Sequence, residues 1–386
     1  MKALTAASIA LLLASCDLAG GAQGPRPSPE QPPAAARPDQ LSAFYGSYRT
    51  ASGGVYVVAR HGWFFDLADA DYRTIYEGTA ANRFTIGPAF AQPLPKFADL
   101  TFQGEMLTIA GGASRVIARR IDYRETQVQI AAKGATLAGA VTEPLGESPT
   151  PGIVIVHGAE PGERYFYDIW VGVYAGLGLT VLTYDKRGLG ASTGRYPGEQ
   201  PTDAALKTYA DDASAALDFL RAWPRVDSTR VGFHGGSQGG WTVPLAIRLH
   251  GGASFAILAS ASATTVDATD LWAGFSGGGA SMPTASEADM EAVVRATHSG
   301  YDPAPALASL IVPTLWLLGA SDRTVPTRVC VEILTAMKKP NFTIHLLPTG
   351  HALLVNSTGL LADDDRSAGL APDLVPTLAS WLRSNA

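Results

Sequence analysis

The sequence predicts an α/β fold in which a doubly wound, mostly parallel sheet with a small cap follows a small antiparallel β module. Over residues 41–122, short runs of alternating apolar and polar residues are separated by Gly, Asp and Pro, which is typical of antiparallel strands. From residue 123 to residue 386, continuous apolar runs alternate with helical patterns, which is typical of parallel strands buried on both faces. We therefore expect a β-rich accessory domain followed by an α/β domain.

Six apolar runs in the second region predict the parallel strands. Each run is short, as buried strands are, and they lie at residues 153–156, 180–184, 230–233, 255–259, 314–318 and 343–347. Residues 127–132 and 138–143 predict an antiparallel pair that precedes them. Helical patterns, such as residues 203–223 and 327–337, separate the strands. The Gly-, Ser- and Thr-rich stretch at about 260–305 holds one helical pattern, and we expect it to form the small cap.

The first residues predict a targeting segment. Lys2 precedes an apolar run over residues 3–13 that is too short to span a bilayer. The motif Leu13-Ala14-Ser15-Cys16 then matches a bacterial lipobox. We expect residues 1–15 to be a lipoprotein signal peptide and Cys16 to become the lipidated N-terminal residue. The alternative is an ordinary secretory signal with an incidental cysteine.

A lipidated Cys16 places the protein in a bacterial cell envelope, anchored to a membrane and facing the periplasm or the exterior. Asp17 resembles an inner-membrane retention signal. Residues 16–40 are rich in Gly, Ala and Pro and predict a semi-extended tether. Cys330 is the second of two cysteines, so a lipidated Cys16 leaves no partner for an intrachain disulfide, and the helical pattern around Cys330 predicts a buried small apolar residue.

Charge and composition exclude several functions. The formal net charge is −6 and no basic stripe is present, which argues against a nucleic-acid partner. The histidines lack metal-ligand spacing, and the sequence holds neither a dinucleotide fingerprint nor a phosphate loop. We therefore expect no metal and no cofactor, and a small-molecule substrate as the partner. Nothing in the sequence indicates an oligomeric state.

The most informative motif is Gly235-Gly236-Ser237-Gln238-Gly239-Gly240, between an apolar strand and a helical pattern. A serine in such a sharp turn has strained backbone angles and presents its hydroxyl above the sheet edge. The motif alone is weak, because the chain has 41 glycines. Asp322 and His351 each follow a later predicted strand, and the order Ser, Asp, His strengthens the interpretation as a serine hydrolase.

Several motifs in order resemble the α/β-hydrolase superfamily, on its esterase side. The resemblance covers roughly residue 128 to the C-terminus, and the nearest group is that of the dienelactone-hydrolase and prolyl-oligopeptidase-like esterases. The motifs that carry it are His157-Gly158-Ala159 with Pro161 and Arg164, Tyr184-Asp185-Lys186-Arg187-Gly188, the serine motif, Gly319-Ala320-Ser321-Asp322 and Gly350-His351. The resemblance implies hydrolysis of carboxylic esters through an acyl-serine intermediate; the alternative is a peptidase, thioesterase or lactonase with the same residues.

Three side chains form the predicted catalytic triad. Ser237 is the expected nucleophile, and His351 the base that accepts its proton. Asp322 is expected to orient the imidazole and to stabilise its cation. Alternatives for the acid are Asp267 and Asp270, and Asp322 itself has a structural alternative as a helix N-cap.

The oxyanion of the reaction needs backbone N–H donors. We expect them from Gln238, directly after the nucleophile, and from Ala159. Arg164 either orients the loop that carries Ala159 or faces a substrate carboxylate. His234 and His345 are expected to be packed or hydrogen-bonded histidines.

Four aromatic residues, Tyr165, Trp241, Trp272 and Phe275, are candidates for lining the substrate pocket. We expect each of them to pack in the core or in the cap, and a role in lining the pocket is the alternative.

Overall fold

The computed structural model describes residues 32–146 and 149–386. The predicted signal peptide, Cys16, Asp17 and most of the predicted tether therefore lie outside the described residues. Among the helices of the described part, none combines the length and the apolar character needed to cross a membrane.

The predicted antiparallel β module is a closed barrel of eight strands, each paired with its neighbours in chain order. Its interior is apolar, with Ile75, Leu100 and Leu107 fully buried. The strands β1 to β8 are Gly46–Thr50, Val55–Val58, Trp63–Asp66, Tyr72–Ala80, Arg83–Ile86, Ala98–Gln103, Met106–Gly111 and Ser114–Arg120.

The end of the predicted tether is packed against this barrel. The Ala36 N–H donates to the Ile75 carbonyl at 2.8 Å, and the Glu77 N–H donates to the Ala34 carbonyl at 2.8 Å. A short helix, α1 (Pro38–Leu41), begins at a proline, which suits the first turn of a helix. Leu41 is fully buried. The prediction of a tether up to residue 40 is therefore wrong at its C-terminal end, because these residues bury apolar side chains and pair with a strand.

The second region is an eight-stranded sheet in the order β16-β15-β14-β13-β11-β12-β10-β9. The predicted antiparallel pair forms its first two strands, and β11 to β16 run parallel to one another. This confirms the predicted mostly parallel sheet. The strands β9 to β16 are Tyr123–Ala132, Ala135–Pro144, Thr150–Val156, Thr180–Tyr184, Val226–Gly236, Ala256–Ala259, Thr314–Gly319 and Phe342–Leu347.

Helices connect the strands of the sheet, as the alternating pattern predicts. The helices α2 to α10 are Asp168–Gly176, Asp203–Arg221, Gly239–His250, Val266–Ser276, Glu287–Ala296, Ala304–Ser309, Thr327–Ala336, Leu361–Asp364 and Leu374–Asn385, and a 3-10 turn spans Gly277–Gly279. Cys330 lies in α8 and is fully buried, and burial raises the pKa of its thiol to about 11.

The parallel strands bring four loops to one edge of the sheet. The strands β11, β13, β15 and β16 all end there. The loops that follow them hold Ala159, Ser237, Asp322 and His351. Ligands of open α/β sheets bind at this edge, outside the carboxyl ends of the strands.

The barrel and the sheet share one hydrophobic core, in which strand β2 packs on helix α2. Helix α2 and strand β2 approach each other closely at Gly172, where an added Cβ would lie 2.2 Å from Val57 Cγ1. Beside it, the Asp168 carboxylate accepts a hydrogen bond from the Arg60 N–H. Burial raises the pKa of Asp168 to about 6, against the opposing effect of that hydrogen bond. The close approach of backbone and side chain fixes the barrel to the α/β domain.

We predict that Gly172→Ala destabilises the protein, although alanine is the better residue in a helix. Overpacking against Val57 is expected to cost about 1–3 kcal/mol in the free energy of unfolding. The matched control in the same helix is Gly176→Ala, whose Cβ would lie 3.1 Å from the flexible end of Leu67. Denaturant unfolding of both variants measures the difference, and equal stabilities would contradict this packing.

Candidate active site

Ser237 lies in a sharp turn between β13 and α4, with its backbone in the left-handed region at φ 51°. Its N–H donates to the Ala259 carbonyl at 3.0 Å, which fixes the turn to the next strand. The glycines around it are required by close approach. A Cβ at Gly235 would lie 2.7 Å from the Gly239 carbonyl oxygen, and one at Gly240 would lie 2.3 Å from Ala261 Cβ. The hydroxyl of Ser237 faces the cavity at the sheet edge.

The structure brings the three predicted triad residues together. His351 Nε2 lies 3.1 Å from Ser237 Oγ, and His351 Nδ1 lies 2.7 Å from Asp322 Oδ2. The Asp322 side chain is fully buried. Its other oxygen accepts hydrogen bonds from the N–H groups of Thr324 at 2.7 Å and Val325 at 2.9 Å. Asp322 therefore contacts His351 and anchors the turn that precedes α8, but it is not the N-cap of that helix, which is Pro326.

The surroundings of His351 favour its protonated form. Burial alone would lower its pKa, but the charge of Asp322 and the hydrogen bond to it raise the pKa above the ordinary value of 6.5. Asp364 and Glu160 add smaller effects of the same sign. An imidazole with this preference is suited to accept a proton from a neighbouring hydroxyl.

Two backbone N–H groups are available beside the serine. In the described residues, neither the Gln238 N–H nor the Ala159 N–H donates to a protein acceptor. Gln238 precedes the first turn of α4, where the helix dipole favours negative charge. Ala159, like Ser237 and His351, lines the cavity.

Polar side chains fix the loop that carries Ala159. His157 Nε2 donates to the Tyr184 carbonyl at 2.6 Å. Glu160 Oε1 accepts from the Gly158 N–H at 3.1 Å and from the Tyr167 hydroxyl at 3.0 Å. These contacts fix the backbone on both sides of Ala159.

Lys186 also holds this loop through two hydrogen bonds. Its ammonium donates to the carbonyls of Gly158 and Glu160, at 2.6 Å each. Burial lowers the pKa of Lys186 to about 8, against the opposing charge of Glu160. Sequence reasoning missed Glu160, Tyr167 and Lys186; only Lys186 stands in a motif that carried the resemblance.

Arg164 forms an ion pair with the buried Asp185, whose carboxylate also accepts from the Arg164 N–H at 2.7 Å. Of the two alternatives for Arg164, the structure therefore favours orientation of the loop over a contact with a substrate carboxylate. Arg187 forms a similar ion pair with Asp212.

The remaining candidate side chains lie in other contacts. His234 is buried against the Tyr174 hydroxyl at 2.8 Å, and burial lowers its pKa to about 3. His345 Nε2 lies 2.8 Å from Asp373 Oδ2. Asp267 and Asp270, the alternative acids, make no hydrogen bond to His351 among the described residues.

Ser237 and His351 line a cavity of about 660 Å³ with a mostly apolar wall. None of the four predicted aromatic candidates is among its described lining residues. Trp241 and Trp272 are buried in the core instead. The aromatic residues that do line the cavity are Trp63, Tyr72, Phe90, Phe166, Tyr167 and Trp170.

The predicted cap contributes little to this cavity. Of the stretch at about 260–305, only Ser260 is among the described lining residues. The helices α5 and α6 pack on each other and on α8 around Trp272 and Met290. The Trp272 indole N–H donates to the Asp322 carbonyl at 3.3 Å. This stretch therefore packs against the loop of Asp322. The barrel and residues 352–370 contribute to the lining of the cavity instead.

One known protein family is similar to part of this chain. Residues 167–352 match the sequence profile of the prolyl oligopeptidase family, and this range contains Ser237, Asp322 and His351. No curated protein matches the sequence. Together with the sheet and the contacts of Ser237, the family match supports a serine hydrolase of α/β fold.

Solved structures similar to this chain include a hypothetical protein from Pseudomonas aeruginosa, at 15% identity and a TM-score of 0.46 over 68% of this chain and 94% of that chain. An esterase from Pyrococcus furiosus has 15% identity and a TM-score of 0.49 over 68% of this chain and 90% of that chain. A dienelactone hydrolase-like promiscuous phosphotriesterase from metagenomic libraries has 16% identity and a TM-score of 0.45 over 68% and 98%.

We predict that the acid limb of the pH profile of kcat/KM lies above pH 6.5, the ordinary pKa of histidine. His351 must be neutral to accept a proton, and its raised pKa keeps it protonated to higher pH. The profile is measured with a neutral ester. His345→Gln is the control and is expected to leave the limb in place, because His345 faces Asp373. A limb below pH 6.5 would contradict the assignment.

Proposed function

We propose that the protein is a serine hydrolase that cleaves carboxylic esters through an acyl-serine intermediate. The observation that carries the proposal is the chain of contacts from Asp322 to His351, at 2.7 Å, and from His351 to Ser237, at 3.1 Å. This chain ends at the wall of a mostly apolar cavity. A serine hydroxyl is a weak nucleophile unless a neighbouring base accepts its proton, and His351 is placed to do so.

In the first step, Ser237 Oγ attacks the ester carbonyl carbon while its proton passes to His351 Nε2. A bond forms between Oγ and the carbonyl carbon, and the electron pair of the C=O π bond moves to the oxygen. Asp322 stabilises the resulting imidazolium and holds its Nδ1–H. The N–H groups of Gln238 and Ala159 are the proposed donors to the oxyanion.

The tetrahedral intermediate then collapses. The bond to the alcohol oxygen breaks, and His351 Nε2 returns its proton to the leaving alcohol. An acyl group remains on Ser237. Water attacks this acyl-serine while His351 accepts its proton, and the second collapse releases the carboxylic acid and returns the proton to Ser237.

A second candidate is cleavage of a peptide bond, because the matched profile is that of the prolyl oligopeptidase family. The same triad can also serve a thioesterase or a lactonase. Peptide amides require protonation of a poorer leaving group, so the two activities are separated by comparing amides with esters of the same acyl group. Ser237-dependent turnover of the amide that exceeds turnover of the ester would favour the peptidase.

We predict that Ser237→Ala abolishes hydrolysis of p-nitrophenyl butyrate by the purified full-length chain, with a loss in kcat on the order of 10⁵-fold or more. The matched control is Ser254→Ala. Ser254 lies before β14, at the opposite edge of the sheet, and its hydroxyl donates to the Val231 carbonyl. The control is expected to keep its activity. Hydrolysis that survives in Ser237→Ala would refute the proposed function.

We also propose that Cys16 carries a lipid that anchors the protein to the bacterial cell envelope. The lipobox and the short apolar run before it support this. In a bacterial host fed an alkyne analogue of palmitate, the wild type and Cys330→Ala are expected to be labelled and to fractionate with membranes. Cys16→Ala is expected to be unlabelled. Equal labelling of Cys16→Ala and the wild type would contradict the anchor.

A further inference from the structure

Part of the cavity wall is formed by the barrel. Trp63 begins β3, Tyr72 begins β4, and Phe90 follows β5, and all three line the same cavity as Ser237. Their rings touch one another. The ring centroids of Tyr72 and Phe90 lie 4.7 Å apart, and those of Trp63 and Tyr72 lie 5.6 Å apart. We call these three side chains the aromatic wall.

The aromatic wall is fixed to the segment that follows His351. The Phe90 N–H donates to the Ser367 carbonyl at 2.7 Å, and the Ala91 N–H donates to the Asp365 carbonyl at 3.0 Å. A third bond runs from the Leu370 N–H to the Ala70 carbonyl at 2.9 Å. Because backbone groups make these bonds, the wall is held at a set position relative to the proposed catalytic histidine.

Further apolar side chains line the cavity. Phe166, Trp170, Leu353 and Leu354 line it, and Phe166 is 45% exposed although its side chain is large and apolar. A volume of about 660 Å³ is far larger than an acetyl group needs and lies in the range of pockets for drug-sized ligands. A bulky apolar group would bury this surface and gain the free energy of its transfer from water.

The charged residues of the cavity lining also affect which acyl groups can bind. Glu160, Asp364 and Asp365 line the cavity, whereas no lysine or arginine is among its described lining residues. An anionic group in this cavity would meet three carboxylates and, in the described part of the lining, neither a lysine nor an arginine. The lining therefore disfavours an anionic acyl group.

We propose that the aromatic wall is the acyl-binding surface and selects esters of bulky, apolar, uncharged acids, such as arylalkanoic acids. This inference rests on the proposed ester hydrolysis. The acyl group stays on Ser237 through both steps, whereas the alcohol must leave and be replaced by water. An apolar wall suits the acyl group, which stays bound to Ser237.

The test compares p-nitrophenyl acetate, 3-phenylpropanoate and 3-(4-carboxyphenyl)propanoate, which share one leaving group, on the full-length chain. The wild type is expected to prefer the phenylpropanoate to the acetate in kcat/KM and to discriminate against the carboxylated analogue. Trp63→Ala is expected to reduce the preference for phenylpropanoate over acetate by about tenfold or more, because apolar contact in the pocket is lost. Phe90→Ala removes a second side chain of the aromatic wall, so the test does not depend on whether Trp63→Ala folds.

The matched control is Phe97→Ala. Phe97 belongs to the same barrel region and is 50% exposed, but it packs on Arg73 and is not among the cavity's described lining residues. It is expected to keep the wild-type rates on all three esters. Trp63→Ala and Phe90→Ala with the wild-type preference would overturn the inference, as would equal turnover of the carboxylated analogue by the wild type. Absence of Ser237-dependent turnover of any ester would instead refute the proposed function.

Discussion

The hydrogen bond between Asp322 and His351, at 2.7 Å, is the interaction on which the candidate site depends. It orients the imidazole so that Nε2 reaches Ser237, and the charge behind it raises the pKa of His351. Asp322 is itself held by two backbone N–H groups of the turn before α8. The carboxylate that contacts His351 is therefore itself fixed to the turn that follows β15.

The barrel and the α/β domain are joined around this edge. Gly172 allows β2 to approach α2, and backbone hydrogen bonds connect residues 70, 90 and 91 of the barrel region with residues 365–370. The second set of bonds lies on the segment that follows His351. The accessory domain is thus part of the wall of the cavity that contains Ser237. The proposed selection of bulky acyl groups follows from this arrangement.

Sequence patterns predict the sheet, because buried parallel strands are continuous apolar runs, and they also predict which residues meet at its edge, because Ser237, Asp322 and His351 each follow such a run. The tether's end and the cavity wall were not predicted. Ala36 and Leu41 are buried through contacts with the barrel that no local pattern encodes. The aromatic wall likewise depends on contacts between the barrel and residues 365–370 that no local pattern encodes. Trp241 and Trp272 are buried, in agreement with the packing role expected for them.

The most direct test of the central claim is the reaction of the protein with a fluorophosphonate, followed by mass analysis of the labelled peptide. The account predicts a single covalent adduct on Ser237 in the wild type. In Asp322→Asn it predicts that labelling slows by on the order of 10⁴-fold, because the imidazole loses its orienting anion. An adduct on another residue, or equal labelling rates in the two proteins, would contradict the assignment of Ser237, His351 and Asp322.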